Sequence, residues 1–409
     1  MRRYRYLVFS GLCEILTGIL PIVAIPVFIS RIGAHAYADS LFPLTVVSLL
    51  VAILDIGINL NGLAGIESKK NDRSKMIYII STVALKVIVG AVVVVVCALF
   101  LGAKIWSGYW LGAILLYIAY SLYPSWLFVV VNKVMVGQVI NSVGRGLPII
   151  ILLIIIAKGS KGEEINVVMG SISLAATCVA YKLCLSKFNI GSVNKEYLYK
   201  MVPIQLIALI RQNKKFWITQ ILQSSYRSVL PVLAGGILSS IEFLAYSISD
   251  KLMRAFQTVL AYYFQSEFGK VEKKNEKLTR IMVKKFIKEL MPVLVFLAAC
   301  FYVVFLLLVP YISDGNDGLI NQINGLDWIL PLIAIVGGAN YWFGSLALPL
   351  LKKPISLVLA SGSAGLISLI LAYWLGSLYG AWAVMVSMLI GELIFFSIVI
   401  NEYKTKNSQ

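Results

Sequence analysis

Three long apolar stretches of this sequence each carry a row of polar side chains that includes a cation. In chain order the rows are Gln138, Asn141, Ser142 and Arg145; Gln220, Gln223, Ser224 and Arg227; and Asp250, Arg254 and Gln257. Their spacing places the members of each row on one face of a helix. Amides and hydroxyls supply the donors and acceptors that a sugar needs, and the planar guanidinium suits phosphate or carboxylate. The rows therefore indicate a binding site for a polar, anionic substrate.

The helices that carry these rows belong in a membrane, because little of the chain suits water. Of the 409 residues, 59% are hydrophobic and 13% are charged, whereas a soluble domain carries about 25% charged residues. The mean hydropathy is +0.87. The five cysteines lie in apolar runs, in odd number and without metal-ligand spacing, so we interpret them as core residues and expect no metal site.

Apolar runs long enough to cross a bilayer recur about twelve times, since a spanning helix needs about 20 residues. They lie at 6–30, 37–62, 76–103, 108–132, 134–157, 166–185, 216–238, 242–264, 290–311, 327–350, 355–377 and 380–400. Lipid offers the backbone no hydrogen-bond partner, so each run must be helical. The predicted fold class is an all-α integral membrane protein with about twelve transmembrane helices.

The distribution of Lys and Arg predicts how these spans are oriented. With the N-terminus inside, almost all basic residues outside the spans fall on one side, including the cluster from Lys270 to Lys288. The opposite side has only Arg31, Lys104, Lys158 and Lys161. Basic residues resist translocation, so we predict that both termini are cytoplasmic. The net charge of +17 then reflects topology, and we expect no nucleic-acid partner.

The longest connection predicted on the cytoplasmic side falls after six helices and divides the chain into two halves. We predict an N-terminal lobe at 1–190, a cytoplasmic linker at 191–215 and a C-terminal lobe at 216–409. The sequence Leu20-Pro-Ile-Val-Ala24 in the first helix is echoed by Leu230-Pro-Val-Leu-Ala234 in the seventh. Six helices per lobe return the chain to the same side, so the two repeats would be parallel, as in transporters that bind substrate between two bundles.

Ionisable side chains within the predicted spans are the second group of candidate functional residues. The cations are Lys86, Arg145, Arg227, Lys251 and Arg254, and the acids are Glu14, Asp55, Asp250 and Glu392. Burying such a charge in lipid costs about 2.5–3.5 kcal/mol, so it normally faces protein or a wet cavity. The cations either line a substrate cavity or pair internally, as the spacing of Asp250 and Arg254 suggests. The acids are candidates for proton or sodium coupling, or partners of the cations.

Nucleotide-driven transport by this chain alone is disfavoured. The sequence contains neither GxxxxGK[ST] nor GxGxxG, which are the glycine-rich loops that cradle phosphates. We therefore expect no bound cofactor, and a proton or sodium gradient as the source of energy.

Several short motifs resemble those of the Wzx-type polysaccharide flippases. Ser30-Arg-Ile-Gly-Ala-His-Ala-Tyr37 is similar to the segment that follows their first helix, and Leu54-Asp-Ile-Gly-Ile58 to the turn late in their second. Tyr123-Pro-Ser-Trp-Leu-Phe128 resembles the proline-aromatic segment of their fourth helix. In the second half, Glu242, Tyr246 and Lys251 have the spacing of a further family pattern.

This resemblance implies membership of the multidrug/oligosaccharidyl-lipid/polysaccharide (MOP) exporter superfamily. It implies two six-helix lobes around a central cationic cavity, as in MATE transporters, and alternating access driven by an ion gradient. The implied substrate is an undecaprenyl-diphosphate-linked oligosaccharide of the O-antigen or capsule type, turned to the outer leaflet of the bacterial cytoplasmic membrane. Further implied partners are membrane lipids, a polysaccharide polymerase and chain-length proteins.

Two other functions remain open at the level of sequence. A multidrug antiporter of the same superfamily would share the lobes, but organic cations favour acids and aromatic cages over arginines. A membrane polysaccharide polymerase has a similar length, but its chemistry requires a large outer loop, and the longest predicted outer connection is only 312–326. We therefore expect a transporter and not an enzyme.

Overall fold

A computed structural model describes residues 2–54, 66, 71–131, 133–186, 195–268, 283–313, 317–347 and 354–405. Nearly all of these residues are helical, and none of them forms a strand. The predicted all-α fold class is therefore confirmed. The high fraction of apolar residues explains it, because helices satisfy their own backbone hydrogen bonds without water.

The described residues form thirteen α-helices, numbered in chain order. They are α1 Arg2–Ile32, α2 Ala34–Leu54, α3 Asp72–Leu101, α4 Gly108–Leu122, α5 Ser125–Val130, α6 Val134–Ile155, α7 Glu163–Leu185, α8 Lys195–Ile237, α9 Ser240–Phe268, α10 Met291–Ser313, α11 Asp317–Asn324, α12 Ile329–Asn340 and α13 Pro354–Thr405. A 3₁₀ turn, Gly102–Trp106, follows α3, and π-helical turns, Phe286–Leu290 and Tyr341–Ala347, precede α10 and follow α12.

Every predicted span falls wholly or partly on one of these helices. Among the described residues, seven helices are long and apolar enough to cross a membrane, and the pair Gly318–Asn324 with Ile329–Gly344, bent by 47°, makes an eighth. One of the seven, Ser356–Glu402, has 47 residues and would be about 70 Å long at 1.5 Å per residue. That length is more than twice a hydrocarbon core of about 30 Å, so it accommodates the two spans predicted at 355–377 and 380–400.

Gly380 is the point at which α13 changes direction. Its φ of 68° and ψ of −150° interrupt the helical conformation, and residues with a side chain rarely adopt a positive φ. The Glu242 carboxylate packs directly against Gly380, where a Cβ would clash with it. Glu242 also accepts hydrogen bonds from the Ser239 backbone N–H (3.0 Å) and hydroxyl (2.8 Å), a capping box at the start of α9.

Two helices depart from the predicted boundaries. Helix α8 has 43 residues and begins at Lys195, so most of the connection predicted at 191–215 is helical and continuous with the seventh span. Helix α11 occupies most of the predicted outer connection 312–326. Its buried residues Leu319 and Ile323 explain why this segment folds: they lie four residues apart and form one apolar helical face.

The chain divides into two compact units, and the boundary near the middle lies between Ser224 and Ser225. The first unit contains Met1–Thr17 and Asp39–Ser224; the second contains Gly18–Ala38 and Ser225–Gln409. The second half of α1 thus belongs to the C-terminal unit, where the rings of Phe28 and Tyr37 are in tilted contact with centroids 5.6 Å apart. The lobe limits 1–190, 191–215 and 216–409 stay a prediction.

In the first unit, α4 and α7 are held together by close backbone contact. A Cβ on Gly112 would meet the backbone of Asn166, and a Cβ on Gly170 would meet the carbonyl of Gly112. Small residues allow helices to approach closely in membranes, where no hydrophobic force drives them together. The Asn166 amide donates to the carbonyls of Ser40 and Tyr109, both at 3.0 Å, and so connects three helices.

In the second unit, α9, α12 and α13 enclose an aromatic core. Trp342 is fully buried and packs edge to face on Phe264, with ring centroids 5.9 Å apart. Phe343 contacts Phe286 and Phe396 in the same cluster. Large buried rings of this kind contribute much of the packing energy.

Candidate functional site

A partly open cavity of about 380 Å³ lies in the first unit, between the ends of α4, α5 and α6. Its lining residues are Val51, Tyr120, Tyr123, Ser125, Phe128, Val129, Val134, Gly137, Gln138, Asn141 and Arg145. One wall is therefore the polar row of α6, and the other is aromatic. The common face that the sequence predicts for Gln138, Asn141 and Arg145 is the face that lines this cavity.

Arg145 is the cation of the cavity. Its side chain is exposed, and its guanidinium carbon lies 5.0 Å from the centroid of the Tyr120 ring. This cation–π contact orients the guanidinium while leaving its N–H groups available to a ligand. Gln138 adds an acceptor, because its Oε1 atom is buried and has no hydrogen-bond partner among the described residues.

The aromatic wall exists because Pro124 breaks the fourth predicted span. Helix α4 ends at Leu122 and α5 begins at Ser125, since proline has no N–H to donate. The Tyr123 hydroxyl then donates to the Gly137 carbonyl of α6 at 2.5 Å. Gly137 must lack a side chain, because a Cβ there would lie 2.6 Å from the Phe128 ring. The break thus turns Tyr123 and Phe128 onto the start of α6.

These groups suit a substrate that combines an anion with hydroxyls. A guanidinium binds phosphate or carboxylate through two parallel hydrogen bonds, and the amides of Gln138 and Asn141 bind hydroxyls. Tyr120, Tyr123 and Phe128 offer ring faces on which apolar or cationic groups pack. The cavity can therefore hold either class of substrate, and the charge of Arg145 favours the anion.

Lys86, predicted as a cavity cation, does not line this cavity. It is 3% exposed on α3, and its ammonium donates to the Ser121 carbonyl at 3.0 Å. A cation in mid-span can face a cavity or a freed backbone carbonyl, and periodicity does not distinguish the two, so a role of Lys86 in binding substrate stays a prediction.

Helix α9 carries two of the predicted cations, both in contact with neighbours in the second unit. Arg254 Nε lies 2.6 Å from Asp250 Oδ2, so the pair expected from their spacing forms, and the charge of Arg254 is largely compensated. The Lys251 ammonium lies 5.7 Å from the centroid of the Tyr37 ring. Their contribution to substrate binding stays a prediction.

Glu392 belongs to a buried polar cluster of the second unit. It is 1% exposed, and its carboxylate accepts a 2.6 Å hydrogen bond from the Asn340 amide, which also lies 2.8 Å from the Glu392 carbonyl. A Cβ on Gly337 would lie 2.9 Å from Gln257 Nε2 and 3.9 Å from the Glu392 carboxyl carbon. The absence of a side chain at Gly337 leaves α9 close to this carboxylate.

The cluster has spare hydrogen-bonding capacity. Asn340 Oδ1 and Gln257 Nε2 are buried and have no hydrogen-bond partner among the described residues. One carboxylate with two amides suits a proton or a monovalent cation, because a divalent metal requires more charge. No group of three or more metal-binding side chains occurs in the part of the chain that the structure describes.

The other predicted site residues cannot be placed by their side chains. Asp55 lies outside the described residues, as do the side chains of Glu14, on α1, and of Gln220, Gln223 and Arg227, on α8.

Sequence reasoning left some contact residues out of the candidate site. Tyr120, which orients Arg145, could have been found from its position four residues before Pro124, where a broken helix exposes its last turn. Asn340 could have been found as an amide within an apolar span, two residues after the pair Gly337-Gly338. Neither residue is charged, so a search for ionisable side chains within the spans does not detect them.

Comparison with solved structures gives the class of fold. An inward-facing multidrug resistance MATE family transporter of the MOP superfamily matches with a TM-score of 0.62 and 13% identity, covering 96% of this chain and 98% of that one. Lipid II flippase MurJ, in an inward closed conformation, matches with a TM-score of 0.62 and 14% identity over 97% of this chain and 87% of that one.

A MOP superfamily transporter from Pyrococcus furiosus, described as having a binding pocket of reverse polarity, matches with a TM-score of 0.55 and 13% identity over 98% of this chain and 95% of that one. No protein-family model and no curated protein sequence matches the chain. The chain thus has the fold of MOP superfamily transporters, including drug exporters and a lipid flippase.

Proposed function

We propose that this chain is a flippase of the MOP superfamily, of the Wzx type, that moves undecaprenyl-diphosphate-linked oligosaccharide repeat units to the outer leaflet. The observation that carries the proposal is the position of Arg145 in the polar wall of the first-unit cavity. A diphosphate needs a counter-charge when it leaves water. Arg145 supplies that charge beside amides able to bind the sugars of an O-antigen or capsule unit.

The fold supports this reading without fixing the cargo. MurJ, named as a lipid II flippase, and a multidrug resistance MATE family transporter share the fold of this chain, so the fold is compatible with a lipid flippase. The protein would reside in the bacterial cytoplasmic membrane with both termini inside, as the basic residues predict. It would work with a polysaccharide polymerase and chain-length proteins, which act on the flipped unit.

We further propose that Glu392 couples transport to a proton or sodium gradient. Its burial, its bond to Asn340 and the unused amide groups of Asn340 and Gln257 support a site for a proton or a monovalent ion. Glu14, Asp55 and Asp250 remain further candidates from the sequence. Of these, Asp250 is the weaker, because it neutralises Arg254.

A cation-coupled antiporter of drugs or other organic solutes is the second candidate. The observation in its favour is the aromatic wall of Tyr120, Tyr123 and Phe128, which would pack on a flat organic cation. It accounts less well for Arg145, which would repel such a substrate from the same cavity. A membrane polymerase is less well supported, since the structures that share this fold are named as transporters and a flippase.

Transfer between leaflets by the purified protein tests the proposal. The protein would be reconstituted in vesicles with a fluorescent undecaprenyl-diphosphate oligosaccharide, and transfer would be read from the fraction protected from a membrane-impermeant quencher. We expect protection to equilibrate at least about tenfold faster than in empty vesicles. Accumulation of an organic cation under an ion gradient, without transfer of the lipid, would favour the antiporter.

A further inference from the structure

The break between α4 and α5 leaves backbone carbonyls that need partners. The last four carbonyls of a helix have no amide within the helix to accept from, and in α4 these belong to residues 119–122. Pro124 has no N–H, and the amide of Ser125 donates to the Tyr123 carbonyl at 3.0 Å instead of reaching back into α4. In a membrane no water replaces these missing donors.

Side chains from two other helices supply the missing donors. The Lys86 ammonium of α3 donates to the Ser121 carbonyl at 3.0 Å, and the Tyr181 hydroxyl of α7 donates to the Leu122 carbonyl at 2.7 Å. The Thr177 hydroxyl, also of α7, lies 3.0 Å from the Ala119 carbonyl. Three of the four carbonyls at the end of α4 thus have a side-chain donor within hydrogen-bond distance.

We infer that Lys86 is a positioning residue that fixes the break at Pro124 and thereby holds the aromatic wall of the cavity in place. An ammonium suits this position better than a hydroxyl, because the C-terminal end of a helix carries a partial negative charge. Its hydrogen bond is also charge-assisted and hence stronger than a neutral one. Lys86 is 3% exposed, so it acts through the backbone of α4 and not by contact with a substrate.

The residues that the break positions are those that line the cavity. Tyr120 lies in the capped turn and contacts Arg145, while Tyr123 and Ser125 flank Pro124 on either side. If the last turn of α4 frays, the ring that orients Arg145 moves with it. Only the effect on transport rests on the proposed function; the shape of the cavity can be measured by itself.

The test measures the reactivity of a cysteine introduced at Ser125, an exposed lining residue. The five native cysteines would be replaced by alanine, and the purified protein in nanodiscs would be treated with a maleimide. We expect Lys86→Met to change the alkylation rate at least about fivefold, as loss of a charged hydrogen bond allows. Lys86→Arg, which keeps both charge and donor, should restore the rate. Lys104→Met, at an exposed position after α3, is the matched control and should change nothing.

A second variant separates capping from other roles of Lys86. Pro124→Ala restores an N–H and lets the helix continue, so Lys86 should matter less in that background. We therefore expect the effects of Lys86→Met and Pro124→Ala on the alkylation rate to be non-additive. If Lys86→Met does not fold, Lys86→Gln, a neutral donor, takes its place in the same cycle. An unchanged rate, a failure of Lys86→Arg to restore it, or fully additive effects would overturn the inference, whether or not the protein flips lipids.

Discussion

Arg145→Ala is expected to reduce export by about tenfold or more, because a buried diphosphate then lacks a charged hydrogen-bond donor. The measurement is surface polysaccharide in a host that lacks the chromosomal gene and carries the variant. Arg145 is exposed in the cavity and contacts Tyr120, so its loss should leave the amount of protein in the membrane unchanged.

Two companion variants show whether the loss is specific. Arg145→Lys keeps the charge but not the planar fork, and we expect it to retain part of the activity. Arg211→Ala removes an exposed cation on the same unit and should export normally. Arg227→Ala, predicted from its matching row on α8, should resemble Arg145→Ala. Normal surface polysaccharide in Arg145→Ala, with the protein at its wild-type level, would show that this cavity does not bind the substrate through Arg145.

Glu392→Gln is expected to abolish the response of transport to an ion gradient. The substitution preserves the size of the side chain and a partner for Asn340, but it removes the charge that binds a proton or a monovalent cation. Gradient-driven transfer should fall by about tenfold or more, with equilibration in the absence of a gradient less affected. The measurement compares vesicles with and without an imposed proton or sodium gradient.

Glu289→Gln is the matched control for this prediction, since Glu289 is an exposed acid of the same unit. It should respond to the gradient as the wild type does. If Glu392→Gln also retains the full response, Glu392 serves only to hold α12 and α13 together through Asn340, and the coupling group lies elsewhere.

Much of this architecture follows from periodicity and charge. The runs of apolar residues predict where helices lie, because in a bilayer the backbone of each run must form its hydrogen bonds within the protein. The row on α6 follows from helical spacing alone: Gln138, Asn141 and Arg145 must share a face whatever that face contacts. The ion pair of Asp250 and Arg254 is local in the same way, since residues four apart on a helix are neighbours.

The remaining features depend on contacts that are remote in sequence. Lys86 donates to the carbonyl of Ser121, which is 35 residues away in the sequence. Glu392 and Asn340 are hydrogen-bonded across 52 residues. No local sequence pattern therefore predicts either pair. Lys86 and Arg145 look alike in the sequence, as cations in the middle of a span. They differ because Pro124 frees carbonyls near Lys86, while the middle of α6 presents Arg145 to an open cavity.

The central claim is tested most directly by the lipid-linked saccharides of a host that lacks the gene. These lipids would be extracted and analysed, and their sidedness assigned with a membrane-impermeant reagent. We predict that single undecaprenyl-diphosphate repeat units accumulate on the cytoplasmic face and that surface polymer is lost. The wild-type gene should reverse both effects, and the Arg145→Ala variant should reverse neither. Repeat units that still reach the outer face would contradict it and would show that the chain does not move them.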